Sequence, residues 1–297
     1  MITRFGKRYF TNMIAGNITS LGKDVAIGIG TSAASIDDTR LDFEWYRLPV
    51  SYGSTDIQTV NGVTTYTVIY KTTLPQNIAG TISEIGLYPS SRISINESDS
   101  KFISDFTDNL TWTDEVGQNP DFEINTATTT YSKIGDSVLK MVAGVNDPTE
   151  YTNSESVLNL SGYSTADSIT ISYYKYDANL SSIKLRLYTT NSDYYQYTIT
   201  PLSGTGHKLQ PDIPLSSVLI SPVGTPNLAS IAKIGFLITP TTGNATAVGM
   251  DGFRINDEDT FDPQFGIISR SVLSSPIIKL AGRQIDLEYK LDLGYGS

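Results

Sequence analysis

The chain has 297 residues, with 21 Lys and Arg against 31 Asp and Glu for a net charge of −10, and 39% of it is hydrophobic. That apolar content is ample for burial, and the length exceeds what one core usually serves, so two domains are expected. Cys is absent, which removes disulfides, thiolate metal sites and cysteine nucleophiles together.

No apolar run reaches the length of a membrane span, and the start Met1-Ile2-Thr3-Arg4-Phe5-Gly6-Lys7 lacks the apolar core of a signal peptide, so neither membrane insertion nor secretion is expected. The charge is uneven. Residues 1–100 carry 8 basic and 9 acidic side chains, residues 101–261 carry 9 and 18, and residues 262–297 carry 4 and 4. An acidic middle repels polyphosphate, so a nucleic-acid partner is not expected.

Along the chain, Phe5, Tyr9, Phe10, Met13 and Ile14 fall on one helical face, and Gly16-Asn17 supplies a stop, which predicts a short N-terminal helix. Strands are predicted at Val25–Ile29, Trp45–Val50, Thr64–Lys71 and Ile82–Tyr88. Each is short, rich in β-branched or aromatic residues, and bounded by turn formers. Asn61-Gly62 before the third is a hairpin signal, so the natural reading is an antiparallel meander.

From about residue 99 the texture changes. Strands are expected near 102–106, 137–142, 156–160, 168–175, 183–189, 194–199, 231–238 and 249–255, with Ile183–Thr189 alternating cleanly as a strand with one wet face. Some eight strands in this space describe a sandwich or jelly roll. The chain ends with Ser269–Lys279 and with Ile285–Leu293, where Ile285, Leu287, Tyr289 and Leu291 alternate with charged residues as in a strand.

The order of Val25-Ala26-Ile27-Gly28-Ile29-Gly30, Asp38-Thr39-Arg40-Leu41-Asp42-Phe43-Glu44, Ile82-Ser83-Glu84-Ile85-Gly86-Leu87-Tyr88 and the C-terminal run resembles a module of tailed-phage virion structural proteins. The resemblance spans residues 1–98 and 262–297, with 99–261 as an insertion. Phe106, Trp112, Ala232-Lys233-Ile234-Gly235-Phe236 and Met250-Asp251-Gly252-Phe253-Arg254-Ile255 make the insertion similar to the jelly rolls of carbohydrate-binding modules. The expected fold class is therefore all-β and mainly antiparallel: a small split β domain with one short helix, interrupted by a β-sandwich.

The residues carry little catalytic chemistry. His207 is the one histidine, expected in a loop rich in small residues, Ser203-Gly204-Thr205-Gly206-His207-Lys208, with no Gly-x-Ser-x-Gly elbow in the chain, and Gly28-Ile29-Gly30 lacks the third glycine of a dinucleotide fingerprint. Asp114-Glu115 and Asp257-Glu258-Asp259 sit in turn-like stretches, where solvation explains them better than a glycosidase pair. No catalytic residue and no cofactor are expected.

Two candidate sites stay open. The jelly-roll resemblance implies a structural Ca²⁺ near Asp251, with Asp105 and Asp108 as partners; the alternative is that Asp251 caps a turn. Trp112, Tyr174, Tyr176 and Tyr195 are candidates for carbohydrate stacking, weighed against burial in a core or subunit interface, since alternation sends neighbouring tyrosines to opposite faces.

The resemblance implies a noncatalytic virion component made in the host cytoplasm. The split domain would anchor it to capsid, neck or tail beside other virion proteins and copies of itself, with the jelly roll projecting outward. The alternative is an adhesin that grips a host-surface polysaccharide through the insert.

Overall fold

The computed structural model describes residues 1–17, 24–60, 63–89, 100–104, 106, 108, 110–126, 129–153, 158–219, 222–256 and 266–294. The chain is all-β with antiparallel sheets, and it divides into two compact units, Met1–Glu97 with Phe261–Ser297 and Ser98–Thr260. The first unit opens with α1 (Arg4–Ile14), followed by β1 (Asp24–Gly28), β2 (Glu44–Pro49), β3 (Ser51–Val60), β4 (Val63–Leu74) and β5 (Gly80–Tyr88). The second unit holds β6 (Ser100–Ser104), β7 (Trp112–Thr113), β8 (Asp121–Ile124), β9 (Ser137–Ala143), β10 (Thr149–Asn153), β11 (Ser168–Lys175), β12 (Leu180–Tyr188), β13 (Tyr194–Ile199) and β14 (Gly206–Pro214). It continues through α2 (Leu215–Leu219), β15 (Pro222–Val223), β16 (Lys233–Pro240) and β17 (Thr246–Asn256), and the first unit resumes with β18 (Ser269–Lys279) and β19 (Ile285–Gly294).

In the first unit, α1 starts where the Thr3 hydroxyl accepts the Gly6 N–H at 2.9 Å, and it ends before Gly16, whose φ of 78° suits glycine. Only Phe5, Gly6 and Tyr9 of the helix are buried, so its apolar face is used in the first two turns while Ile14 is exposed. One sheet runs β18-β5-β1-β2 and the other runs β19-β4-β3. Every residue of β1 is buried, as a strand covered on both faces requires.

The motifs on either side of the insertion meet at one buried ion cluster. Arg270 of β18, 1% exposed, pairs with Glu84 of β5 at 2.8 Å, Asp42 at 2.8 Å and Asp38 at 3.1 Å. Glu84 also accepts the N–H groups of Gly30, Asp42 and Phe43. Burial lowers the tendency of the guanidinium to stay charged, but the three carboxylates outweigh it and raise its pKa overall.

Strand β3 was not evident from composition, since Ser51–Thr59 has no run of apolar residues; pairing with β4 through Val60↔Val63 makes it a strand. The Asn61-Gly62 turn itself lies outside the described residues.

In the second unit, one sheet runs β15-β13-β12-β16-β10-β7 and the other runs β14-β11-β17-β9-β8, with β6 paired to β17. Their facing sides form one core: Met141, Ile171, Tyr173 and Met250 from the second sheet meet Leu185 and Phe236 from the first. This is a jelly-roll type of β-sandwich, each such buried side chain stabilising it by about 1.5–3 kcal/mol.

Both junctions of the insertion lie on paired strands. Leu87 is opposite Ser269 in the first unit, and Ser100 is opposite Asn256 in the second, so in each unit the chain departs and returns side by side.

Two expectations in this unit change. Of the segment expected as a strand at 156–160, the described residues 158–160 contribute an isolated bridge, Leu158↔Ile231, and a strand lies earlier, at β10. His207, expected in a loop, stands on β14 opposite Tyr174, because the small residues before it make the turn and the ladder starts at Gly206.

Candidate functional site

Alternation along β11 sends Ile169, Ile171 and Tyr173 into the core and leaves Ser168, Thr170, Ser172 and Tyr174 on the opposite face of that sheet. On the neighbouring β17, Met250 points to the core and Asp251 to that same opposite face. There Asp251, 0% exposed, is surrounded by donors. Its Oδ1 accepts from Ser132 Oγ at 2.7 Å and from the Ile134 N–H at 3.2 Å, and the Lys133 N–H reaches both oxygens at 3.2 Å. Its Oδ2 accepts from Ser172 Oγ at 2.7 Å and lies 2.9 Å from His207 Nε2. Burial alone pushes this carboxyl upward, but the hydrogen bonds from His207, Ser172 and Ser132 outweigh it and hold its pKa below the ordinary value.

The consequence of this network is mechanical. It ties the segment 132–134, which precedes β9, onto the sheet, and the Asn125 Oδ1 accepts the Tyr131 and Ser132 N–H groups at 2.7 and 2.9 Å. Tyr131 is thereby held against Tyr174 at 5.1 Å, edge-on, and against Tyr176 at 5.6 Å, stacked. Tyr174 and Tyr176 are themselves 5.0 Å apart. All three rings are half-buried, so each keeps part of its surface in solvent.

Lys140 of β9 sits 4.7 Å from the Tyr176 ring centre and pairs with Glu123 of β8 at 3.0 Å. Burial raises the Tyr176 phenol, with Glu123 adding to it, and its hydroxyl is enclosed without a hydrogen-bond partner in the protein. The arrangement is an aromatic platform with a polar rim, bordered by a cation and an anion.

The four residues expected to stack on sugar thus separate. Tyr174 and Tyr176 come together on this face. Trp112 does not join them: it is 2% exposed and packs in the core against Phe106 at 5.2 Å and Phe236 at 5.7 Å, leaving no face for a ligand. Tyr195 belongs to β13 in the other sheet, where it packs on the core and donates to the Pro226 carbonyl at 3.1 Å. Tyr131 escaped the sequence reading, since a single tyrosine after a run of threonines carries no periodicity; only Asn125 and Asp251 place it.

Of the residues expected to hold Ca²⁺, Asp251 has both oxygens taken up by protein donors. Asp108 is exposed and accepts the Leu110 N–H at 2.9 Å, holding its own turn. Asp105 and the acidic run 257–259 lie outside the described residues. Among the described residues no group of three or more His, Cys, Asp or Glu side chains could hold a metal.

Ser172, His207 and Asp251 share the residue types of a nucleophilic triad but not its wiring. One nitrogen, Nε2, lies 2.8 Å from Ser172 Oγ and 2.9 Å from Asp251, and the serine hydroxyl donates directly to the aspartate. A triad needs the two ring nitrogens to serve the two partners separately. Ser172 is also fully buried.

The opposite sheet carries a second polar face, but it is closed on itself. Arg186 binds Glu150 at 2.7 Å and Gln196 at 2.9 Å, the Tyr188 hydroxyl donates to Glu150 at 2.7 Å, and Tyr194 packs 4.9 Å from Tyr188. Its polar groups bind one another.

No family model matches the chain, and no curated protein is significantly similar to it. Among solved structures, it is similar to an exo-beta-agarase at 16% identity, over 55% of this chain and 26% of that one, with a TM-score of 0.39. The Family 11 carbohydrate-binding module from Clostridium thermocellum, solved with a beta-1,3-1,4-mixed-linked tetrasaccharide, matches at 19% identity over 54% of this chain and 97% of that one, with a TM-score of 0.37. A carbohydrate-binding module specific for non-crystalline cellulose matches at 14% identity over 49% and 87% of the two chains, with a TM-score of 0.33. The chain spans about a quarter of the length of the agarases it matches.

Proposed function

We propose that the chain is a noncatalytic binding component of a tailed-phage particle, with the split unit as its anchor and the inserted sandwich as a reader of host-surface polysaccharide. The observation that carries the saccharide reading is the trio Tyr131, Tyr174 and Tyr176: three half-exposed rings 5.0 to 5.6 Å apart on one sheet face. Sugar rings offer apolar C–H faces edged by hydroxyls, and tyrosine offers the matching apolar face with a polar tip. Lys140 and Glu123 at the rim add a donor and an acceptor within reach of sugar hydroxyls.

The anchoring role rests on the resemblance of the split unit to virion modules. It gains support from the way the resembling segments meet: Asp38, Asp42, Glu84 and Arg270 form one cluster, so they behave as parts of one scaffold.

The test is titration calorimetry of the whole protein against polysaccharide extracted from the host surface. Tyr174→Ala is expected to weaken binding at least about tenfold, since one stacked aromatic ring contributes on the order of 1 kcal/mol or more beyond its area. Tyr195→Phe should leave binding unchanged. A parent protein that binds no host polysaccharide would remove the saccharide reading and leave the anchoring role alone.

A further inference from the structure

Among the described residues no strand pairs with the outer edge of β3, and this edge points to a second copy of the chain as its partner. In the three-stranded sheet β19-β4-β3, the edge strand β3 is ten residues long, and Ser54–Thr59 is exposed throughout. Edge strands are usually guarded by lysine, proline or a bulge that turns them away from neighbours. Between Ser51 and Val60 there is no Lys, Arg or Pro, the one charge is Asp56, and the register shift lies at the far end, between Tyr52 and Ser54.

The register determines which backbone groups are free. Val60 and Val63 are direct partners with two residues between them, and in an antiparallel ladder a pair so spaced exchanges both of its hydrogen bonds. Counting back by twos, Gln58 and Asp56 also direct their N–H and C=O groups to β4. Thr59, Ile57 and Thr55 therefore direct theirs to the open side.

We propose that two copies of the chain pair through antiparallel β3 strands, with Ile57 opposite its own counterpart on the two-fold axis. This register is the one that sequence and backbone both satisfy. It places Thr55 opposite Thr59 of the partner copy, so the three outward-facing residues of each strand meet as hydrogen-bonding pairs. It places Asp56 opposite Gln58, an acceptor facing a donor; within one copy the Gln58 amide already donates to Asp56 at 2.8 Å, so the two groups are poised on one face. A shift that set Asp56 opposite Asp56 would oppose like charges.

The side chains agree. Ile57 is 61% exposed and its cross-strand neighbour Tyr66 is 42% exposed, and Leu293 of β19 lies beyond Tyr66 in the same row. Pairing at Ile57 extends that apolar row across the axis, and a two-fold contact makes one patch complementary to itself.

Sedimentation of the full chain over a micromolar concentration series tests this, together with three variants. The parent chain should be a dimer. Ile57→Pro removes one outward N–H and leaves the β3–β4 ladder intact, so it should weaken association at least about tenfold without changing the circular dichroism spectrum. Because the chain has no Cys, Ile57→Cys should form a disulfide-linked dimer on mild oxidation, since directly opposed residues of a hydrogen-bonding pair lie within disulfide reach. Thr55→Cys should not, because its own counterpart lies four residues along the partner strand. A parent chain that stays monomeric, or one that associates while Ile57→Cys fails to cross-link, overturns the proposal.

Discussion

Arg270 and Glu84 lie 2.8 Å apart, both essentially buried, although 186 residues separate them. They sit on adjacent strands, β18 and β5, one after the insertion and one before it. Their pairing therefore closes the first unit across the inserted domain, and it is costly to disturb because neither charge can return to water without opening the sheet.

Arg270→Met is expected to destabilise the first unit by about 3–5 kcal/mol, because it leaves Glu84, Asp42 and Asp38 uncompensated. Adding Glu84→Gln should recover part of that loss. Chemical denaturation of the single and double variants measures both effects, and equal stability of parent and Arg270→Met would refute the account.

Asp251 makes the second unit acid-sensitive. Its folded pKa lies below the ordinary carboxylate value, so its contribution is fully present above about pH 4 and is lost as pH falls through the folded value. Melting temperature measured against pH should fall on that limb. Asp251→Asn should flatten the contribution there and cost about 1–3 kcal/mol near neutrality, since the amide presents a donor to a shell of donors.

Calcium should make no difference to the same melt. The Asp251 oxygens already accept from Ser132, Lys133, Ile134, Ser172 and His207, so neither added Ca²⁺ nor chelator is expected to move the transition. A rise in melting temperature with Ca²⁺ that Asp251→Asn abolishes would restore the metal site.

Trp112 and Tyr131 should fail in different ways. Trp112→Ala empties a core position and should cost about 3–5 kcal/mol of stability. Tyr131→Ala, at a half-exposed ring, should spare most of the stability and lose the binding of polysaccharide. Thermal melts and calorimetric titrations of the two variants, side by side, separate the roles.

Much of the architecture is local in origin and so was legible in the residues themselves. The α1 helix follows from its apolar face and the Gly16-Asn17 stop, and strands such as β4, β11 and β12 follow from alternation. Motif order gave the expectation of a split unit, and the succession of short, alternating, β-rich segments gave the all-β class. Tertiary structure decided the rest. Ser51–Thr59 becomes a strand only because β4 offers it a ladder, and His207 leaves its expected loop because β11 does the same. Trp112 went to the core and Tyr131 to the platform through contacts with residues far along the chain, Phe236 in one case and the Asp251 network in the other. Backbone propensity and side-chain period are encoded within a few neighbours, whereas the face a residue finally occupies depends on partners that only folding brings near.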